Sequence, residues 1–139
     1  MRLWHKDIIP YLPKGQLVAQ WRELNSIFKK QDNHILINYI YDYHKDYLLD
    51  YTNMILQEFD NRGYKINKMN NYNNYFEELI GKTVSREFLA YEEHNNRYLM
   101  QCFMNLQEKY YAKQKDFDDV TYQKLLEFIK ERGLTVQYE

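Results

Sequence analysis

Both prolines of the chain, Pro10 and Pro13, lie within its first thirteen residues, and only four glycines (at 15, 63, 81 and 133) interrupt the remaining length. Proline and glycine are the main punctuation of secondary structure, so a chain this poor in them can build long helices. The apolar residues use that freedom. Leu17, Trp21, Leu24 and Phe28 recur at i, i+4, i+7 and i+11, the stripe of an amphipathic helix. Leu48, Tyr51, Ile55 and Phe59 make a second stripe. Leu99, Cys102, Phe103, Leu106 and Tyr110 make a third, and Tyr122, Leu125, Leu126 and Ile129 a fourth. A chain of 139 residues can bury one substantial core. The expectation is an all-α fold: one domain over residues 1–139, a compact bundle of three to four main helices with an extended N-terminal arm.

The punctuation sets the expected boundaries. Residues 1–13 form the arm, pinned by Ile8, Ile9 and Leu12, and Pro13 or Lys14 opens a helix, because a missing N–H costs nothing there. That helix runs to about Lys30. A second spans about Asp46 to Arg62, with Gly63 at the position that favours a left-handed residue. A third covers about His94 to Lys113, and the last begins after an N-cap at Asp118 or Asp119 and ends at Gly133. In between, Ile35, Leu36, Tyr39 and Ile40 share one helical face, although a strand fits the same stretch. Asn70 to Asn74 reads as a polar loop, Tyr75 to Ile80 as a short helix stopped by Gly81, Ser85 as a cap toward Phe88, and 134–139 as a loose tail.

Several chemistries find no support. Cys102 is the single cysteine, so an internal disulfide and a cysteine metal cluster are both excluded. The four histidines, His5, His34, His44 and His94, form no H-x-x-x-H pair, so no metal site is expected. Glycine-rich phosphate loops and the G-x-S-x-G elbow are missing, and no cofactor is expected. Arg2, His5, Lys6 and Asp7 break up any leader-like apolar run, and no stretch approaches the ~18 apolar residues of a membrane span. A soluble, cytoplasmic protein is expected. The net charge of −1 means that any duplex binding rests on a local basic patch. Trp4 is either an anchor for the arm or a stacking platform, and Tyr110-Tyr111 beside Lys109 and Lys113 is a second candidate platform.

The best candidate site is the polar face of the first helix. Gln16, Ala19, Glu23 and Ser26 leave small side chains beside one carboxylate, and Arg22 adds a permanent cation. Met1-Arg2-Leu3-Trp4-His5 can fold back over that face and bring an α-amine. His5 and His34 are the two histidines able to reach it.

With these residues laid out, the chain resembles the pyrimidine-dimer DNA glycosylases of the phage endonuclease V type. Gln16-Leu17, Ala19 and Arg22-Glu23-Leu24 stand at that family's distance from the start, and the stretch from Tyr41-Asp42 to Arg62-Gly63-Tyr64 is similar to its central helix. The opening Met-Arg-Leu-Trp-His, the Pro10–Pro13 arm and Glu93-His94-Asn95 resemble a bacterial or phage branch carrying that family's name. The likeness covers roughly residues 1–66.

The resemblance implies a compact helical glycosylase with apurinic/apyrimidinic lyase activity on damaged duplex DNA. The N-terminal amine attacks sugar C1′ and forms a Schiff base. Among the amines a protein offers, an α-amine is the least basic, so an appreciable fraction is neutral near pH 7. By the same resemblance Glu23 handles protons, Arg22 holds a phosphate and a base is extruded. Met1 and Glu23 are thus the expected catalytic residues, with Arg2, His5, Arg22 and His34 binding substrate. Arg2 stands where the family has a small residue after the initiator, so Met1 is expected to stay and supply the amine. Ser26 replaces a family arginine, and Leu134 to Glu139 replaces an aromatic, basic tail. A reading from another class keeps the scaffold without catalysis, as a binder of a nucleotide-like small ligand or of a protein partner.

Overall fold

A computed structural model describes residues 1–82 and 86–137. Five α-helices carry the chain: α1 (Lys14–Lys29), α2 (Lys45–Asn61), α3 (Met69–Tyr75), α4 (Asn96–Tyr111) and α5 (Asp119–Glu131). Two 3-10 helices join them, Lys6–Tyr11 before α1 and Asn38–Asp42 between α1 and α2, and no strand occurs among the described residues. The fold is the all-α single domain expected. None of the helices among the described residues is long and apolar enough to cross a membrane.

The four apolar stripes converge on one core. Leu17, Trp21, Leu24 and Phe28 are buried together with Leu48, Tyr51, Ile55 and Phe59, and α4 and α5 add Leu99, Cys102, Phe103, Leu106, Tyr122, Leu125, Leu126 and Ile129. The helix ends follow local rules. Asp118 caps α5 by accepting from the Thr121 amide at 2.8 Å. Gly63 (φ 71) and Gly133 (φ 79) close α2 and α5 in left-handed conformations that cost glycine little. Lys113 does the same work after α4 at φ 63, which ends that helix two residues before the expected boundary.

Several expectations change. The arm is not extended throughout, because Lys6–Tyr11 winds into a 3-10 helix that includes Pro10 and buries Ile8 and Ile9. Burying those two against α2, α4 and α5 requires the tighter path. Ile35 and Leu36 do not share a buried face with Ile40: they are exposed, Ile35 at 79%, while Ile37 and Ile40 are buried. The supposed polar loop Asn70–Asn74 lies inside α3. Its polarity serves docking, since Asn71 donates to the buried Asn25 of α1 at 3.0 Å and Tyr72 donates to Asn53 of α2 at 2.7 Å. Tyr75 ends α3 rather than starting a helix, and Phe76 is fully buried. Ser85 lies outside the described residues.

Candidate active site

The N-terminal arm crosses α1 at Gln20, a residue with no solvent exposure. Its Nε2 donates to the Arg2 carbonyl at 3.0 Å and to Glu23 Oε2 at 3.2 Å. Its Oε1 accepts from the Trp4 amide at 2.8 Å and from the Tyr51 hydroxyl at 2.8 Å. All four hydrogen-bonding positions of the amide are therefore filled. Its orientation is unambiguous, because a flipped amide would set its oxygen against the Arg2 carbonyl and a carboxylate. Tyr51, from α2, also lies 2.7 Å from the Trp4 carbonyl.

This clamp lays residues 1–4 beside Glu23. Glu23 is half-buried, and its carboxyl titrates above the usual carboxylate range because burial disfavours the charged form. The Met1 amine, Arg22 and His34 act in the other direction, each favouring the charged form. The structure thus brings Met1, Arg22 and His34 into the electrostatic surroundings of Glu23. A carboxyl raised by burial, with cations at hand, is suited to giving up a proton and taking it back.

Arg2 and His5 are placed differently. The Arg2 guanidinium lies 5.8 Å from the Trp4 ring centroid and interacts with Tyr98 and Cys102. His5 does not reach the Glu23 face at all. It has no exposure, stacks on His94 at 5.4 Å, and uses Nδ1 to accept from the Asp7 amide at 3.1 Å. Burial pushes the His5 imidazole down to about 4 and that of His94 to about 3, so both are neutral core residues near pH 7. Leu3, Trp4 and His5 are buried in succession, which the arm's sequence alone does not reveal. Trp4 is the anchor of the arm, buried to 7% exposure.

Beside the carboxylate, α1 forms one wall of a cavity of about 280 Å³ between Arg22, Asn25, Ser26, Lys29, Asn67 and Lys68. Trp21 lies at its side and donates from Nε1 to the Asn67 carbonyl at 2.8 Å. Lys68 enters in a left-handed conformation (φ 62) that turns the chain into α3. Arg22, Lys29 and Lys68 are not ion-paired among the described residues. A half-buried carboxyl in the field of Arg22, with Lys29 and Lys68 lining the cavity that Arg22 also lines, suits a polyanion whose sugar must meet an acid.

A family model for pyrimidine dimer DNA glycosylases matches residues 1–72. The chain belongs to that family. Neither a curated protein nor a solved structure matches it. The matched region holds the arm, α1, α2 and the start of α3, so it contains the Gln20 clamp, Glu23 and the basic cavity. Membership makes this a DNA glycosylase-type repair protein, with DNA as the partner the family implies.

Sequence reasoning missed four residues of this candidate site: Gln20, Tyr51, Lys29 and Lys68. Gln20 carried a signal. It is a polar residue three positions after Leu17 and four before Leu24, within the buried arc of α1, and a buried polar group demands partners. Lys68 carried none, because only the left-handed turn before α3 swings it toward α1.

Proposed function

We propose that the protein removes a damaged pyrimidine from duplex DNA and then cleaves the abasic strand as a lyase, with the Met1 amine as nucleophile and Glu23 as acid and base. The observation that supports this most directly is the half-buried Glu23, whose raised carboxyl lies in the field of the Met1 amine and Arg22. The neutral amine attacks C1′, the glycosidic C–N bond breaks, and the base departs with a proton. The C1′–O4′ bond then breaks, with O4′ taking a proton, and leaves an imine between Met1 and the opened sugar. Removal of a C2′ proton then breaks the C3′–O bond and releases the 3′ phosphate, after which water frees the enzyme. Glu23 is placed to give the first proton and accept the second.

Arg22, with Lys29 and Lys68, holds the phosphates flanking the lesion, and the cavity between them lies along the path of the distorted strand. Exposed His34 borders the same face from the loop after α1. Arg2 enters through its backbone, whose carbonyl fixes the arm, while its guanidinium braces Tyr98 and Trp4.

Incubating the protein with ultraviolet-irradiated or abasic duplex and borohydride should yield a covalent adduct. Peptide mapping should find that adduct on the amine of Met1. A folded protein that gives no adduct, or an adduct confined to lysines, would sink the reading. Duplex affinity should fall steeply with salt, and Lys29→Ala or Lys68→Ala should each lower the salt slope by about 0.9. Salt-independent binding would remove the cavity from the DNA path.

A further inference from the structure

We propose that Gln20 is a positioning residue for this chemistry, setting the separation between the Met1 amine and the Glu23 carboxylate. The inference rests on the glycosylase reading above and deepens it.

Two distances carry the argument. Gln20 Nε2 stands 3.0 Å from the Arg2 carbonyl oxygen and 3.2 Å from Glu23 Oε2, so one nitrogen holds both sides of the site. The reactive amine is two residues along the chain from that carbonyl, a span of roughly 7 Å at most when extended. Arm and carboxylate come from segments 18 and 3 residues away from Gln20, and this amide is the group that bonds to both. The second half of the amide fixes the nitrogen itself. Oε1 receives the Trp4 amide and the Tyr51 hydroxyl, each at 2.8 Å, within a site closed to water. An amide free to rotate would hold neither partner.

The clamp also divides the labour of the carboxylate. Oε2 is engaged by Gln20, which leaves Oε1 for the sugar. Near-attack geometry is demanding, and a displacement of about 1 Å can cost about 100-fold in rate. The clamp answers a particular need of this chain. Arg2 follows Met1, so the amine sits at the tip of an arm that must be held at a set depth over α1. Neutral Gln does this without adding a charge next to Glu23.

The test compares native protein with Gln20→Met and Tyr51→Phe in single-turnover borohydride trapping on an abasic duplex, across pH, with duplex affinity and circular dichroism measured in parallel. Gln20→Met preserves length and volume and removes all four hydrogen bonds. Trapping should slow by about 100-fold while duplex affinity changes less than about threefold, because no phosphate contact is touched. The limb of the pH profile that reports Glu23 should move upward, since Oε2 loses a donor that favours the charged form. Tyr51→Phe deletes one hydroxyl and should give a smaller loss of rate in a fully folded protein.

If the native protein traps the sugar and both variants trap it equally fast with an unmoved limb, the clamp is overturned and the glycosylase reading stands. If the native protein forms no adduct, the reading fails and the clamp falls with it. A loss that follows unfolded fraction alone in Gln20→Met, with Tyr51→Phe unchanged, assigns Gln20 to stability and overturns the proposal.

Discussion

Residues 1–72 and residues 86–137 are built by different means. The first region buries polar groups on purpose: Gln20, Asn25, Thr52 and His5 all lie in or near its core, most of them spanned by hydrogen bonds. The second region is closer to a plain amphipathic pair, with α4 and α5 burying Leu99, Phe103, Leu106, Leu125, Leu126 and Ile129. Yet the second holds the first in place. Tyr98 donates to the Leu3 carbonyl at 2.5 Å, Cys102 Sγ accepts from the His5 amide, and Arg132 pairs with Asp7 at 2.8 Å. Asp116 caps the start of α1 through the Gly15 amide, an approach so close that a Cβ at Gly15 would meet its carboxylate at 2.9 Å. The family match stops at residue 72. The contrast offers a physical reason: polar clamps dictate side-chain identity, whereas a supporting wall asks only for apolar volume and a few backbone acceptors.

Four measurements put that division to the test. The largest effect belongs to the first region. Glu23→Gln should reduce the trapping rate by about 10²–10⁴-fold, while its thermal midpoint stays near that of the native protein, because the half-buried amide can still accept from Gln20. A large loss of stability would instead make Glu23 a structural residue.

Leu106→Ala should show the opposite pattern. It truncates a fully buried side chain of α4, so a loss of about 2–5 kcal/mol in chemical denaturation is expected. The surviving folded fraction should keep the pH profile of native trapping. A moved profile would mean that the supporting wall tunes the site directly.

Acid should loosen the seam between the regions. His5 and His94 are held neutral by burial at about 4 and about 3, with Lys6 also opposing the protonation of both, Arg132 that of His5, and Asp7 favouring it. In the unfolded chain both titrate near 6.5. The unfolded state therefore binds more protons below that point. Their stability contribution is complete above pH ~6.5 and is lost as pH falls toward ~4 and ~3, on the order of 3 kcal/mol for each histidine between pH ~7 and ~4. Denaturation midpoints across that range test this, and His94→Gln should flatten the slope. An equal slope in the variant would assign acid sensitivity elsewhere. The smallest effect is local: Asp118→Ala removes the α5 cap and should cost about 1 kcal/mol, with trapping unaltered.

The stripes, the Asp118 cap and the glycine stops at 63 and 133 were legible because they obey rules acting over one or two helical turns. Where expectation failed, the deciding contact was remote. Asn70 to Asn74 reads as a loop until Asn71 finds Asn25 of α1, 46 residues away. His5 reads as a site residue until the 3-10 turn at Lys6–Tyr11 rolls it against His94. Lys113 reads as the last residue of the third helix until the chain reverses there to bring Gln114 onto Gln16.

Periodicity and spacing are local properties of a chain, and here they were enough for the four main helices and the single core; the family entered through a resemblance of motifs, with Arg22 and Glu23 as the residues to watch. Which groups meet Glu23 was settled only in three dimensions. The approach of the Met1 amine depends on an arm returning over α1, and its depth depends on the hydrogen bonds of Gln20 with Arg2 and Trp4, 18 and 16 residues away, and on Tyr51, which fixes the Gln20 amide. A pattern of apolar and polar positions says which side of a helix is buried, but not which distant backbone its buried amide will hold.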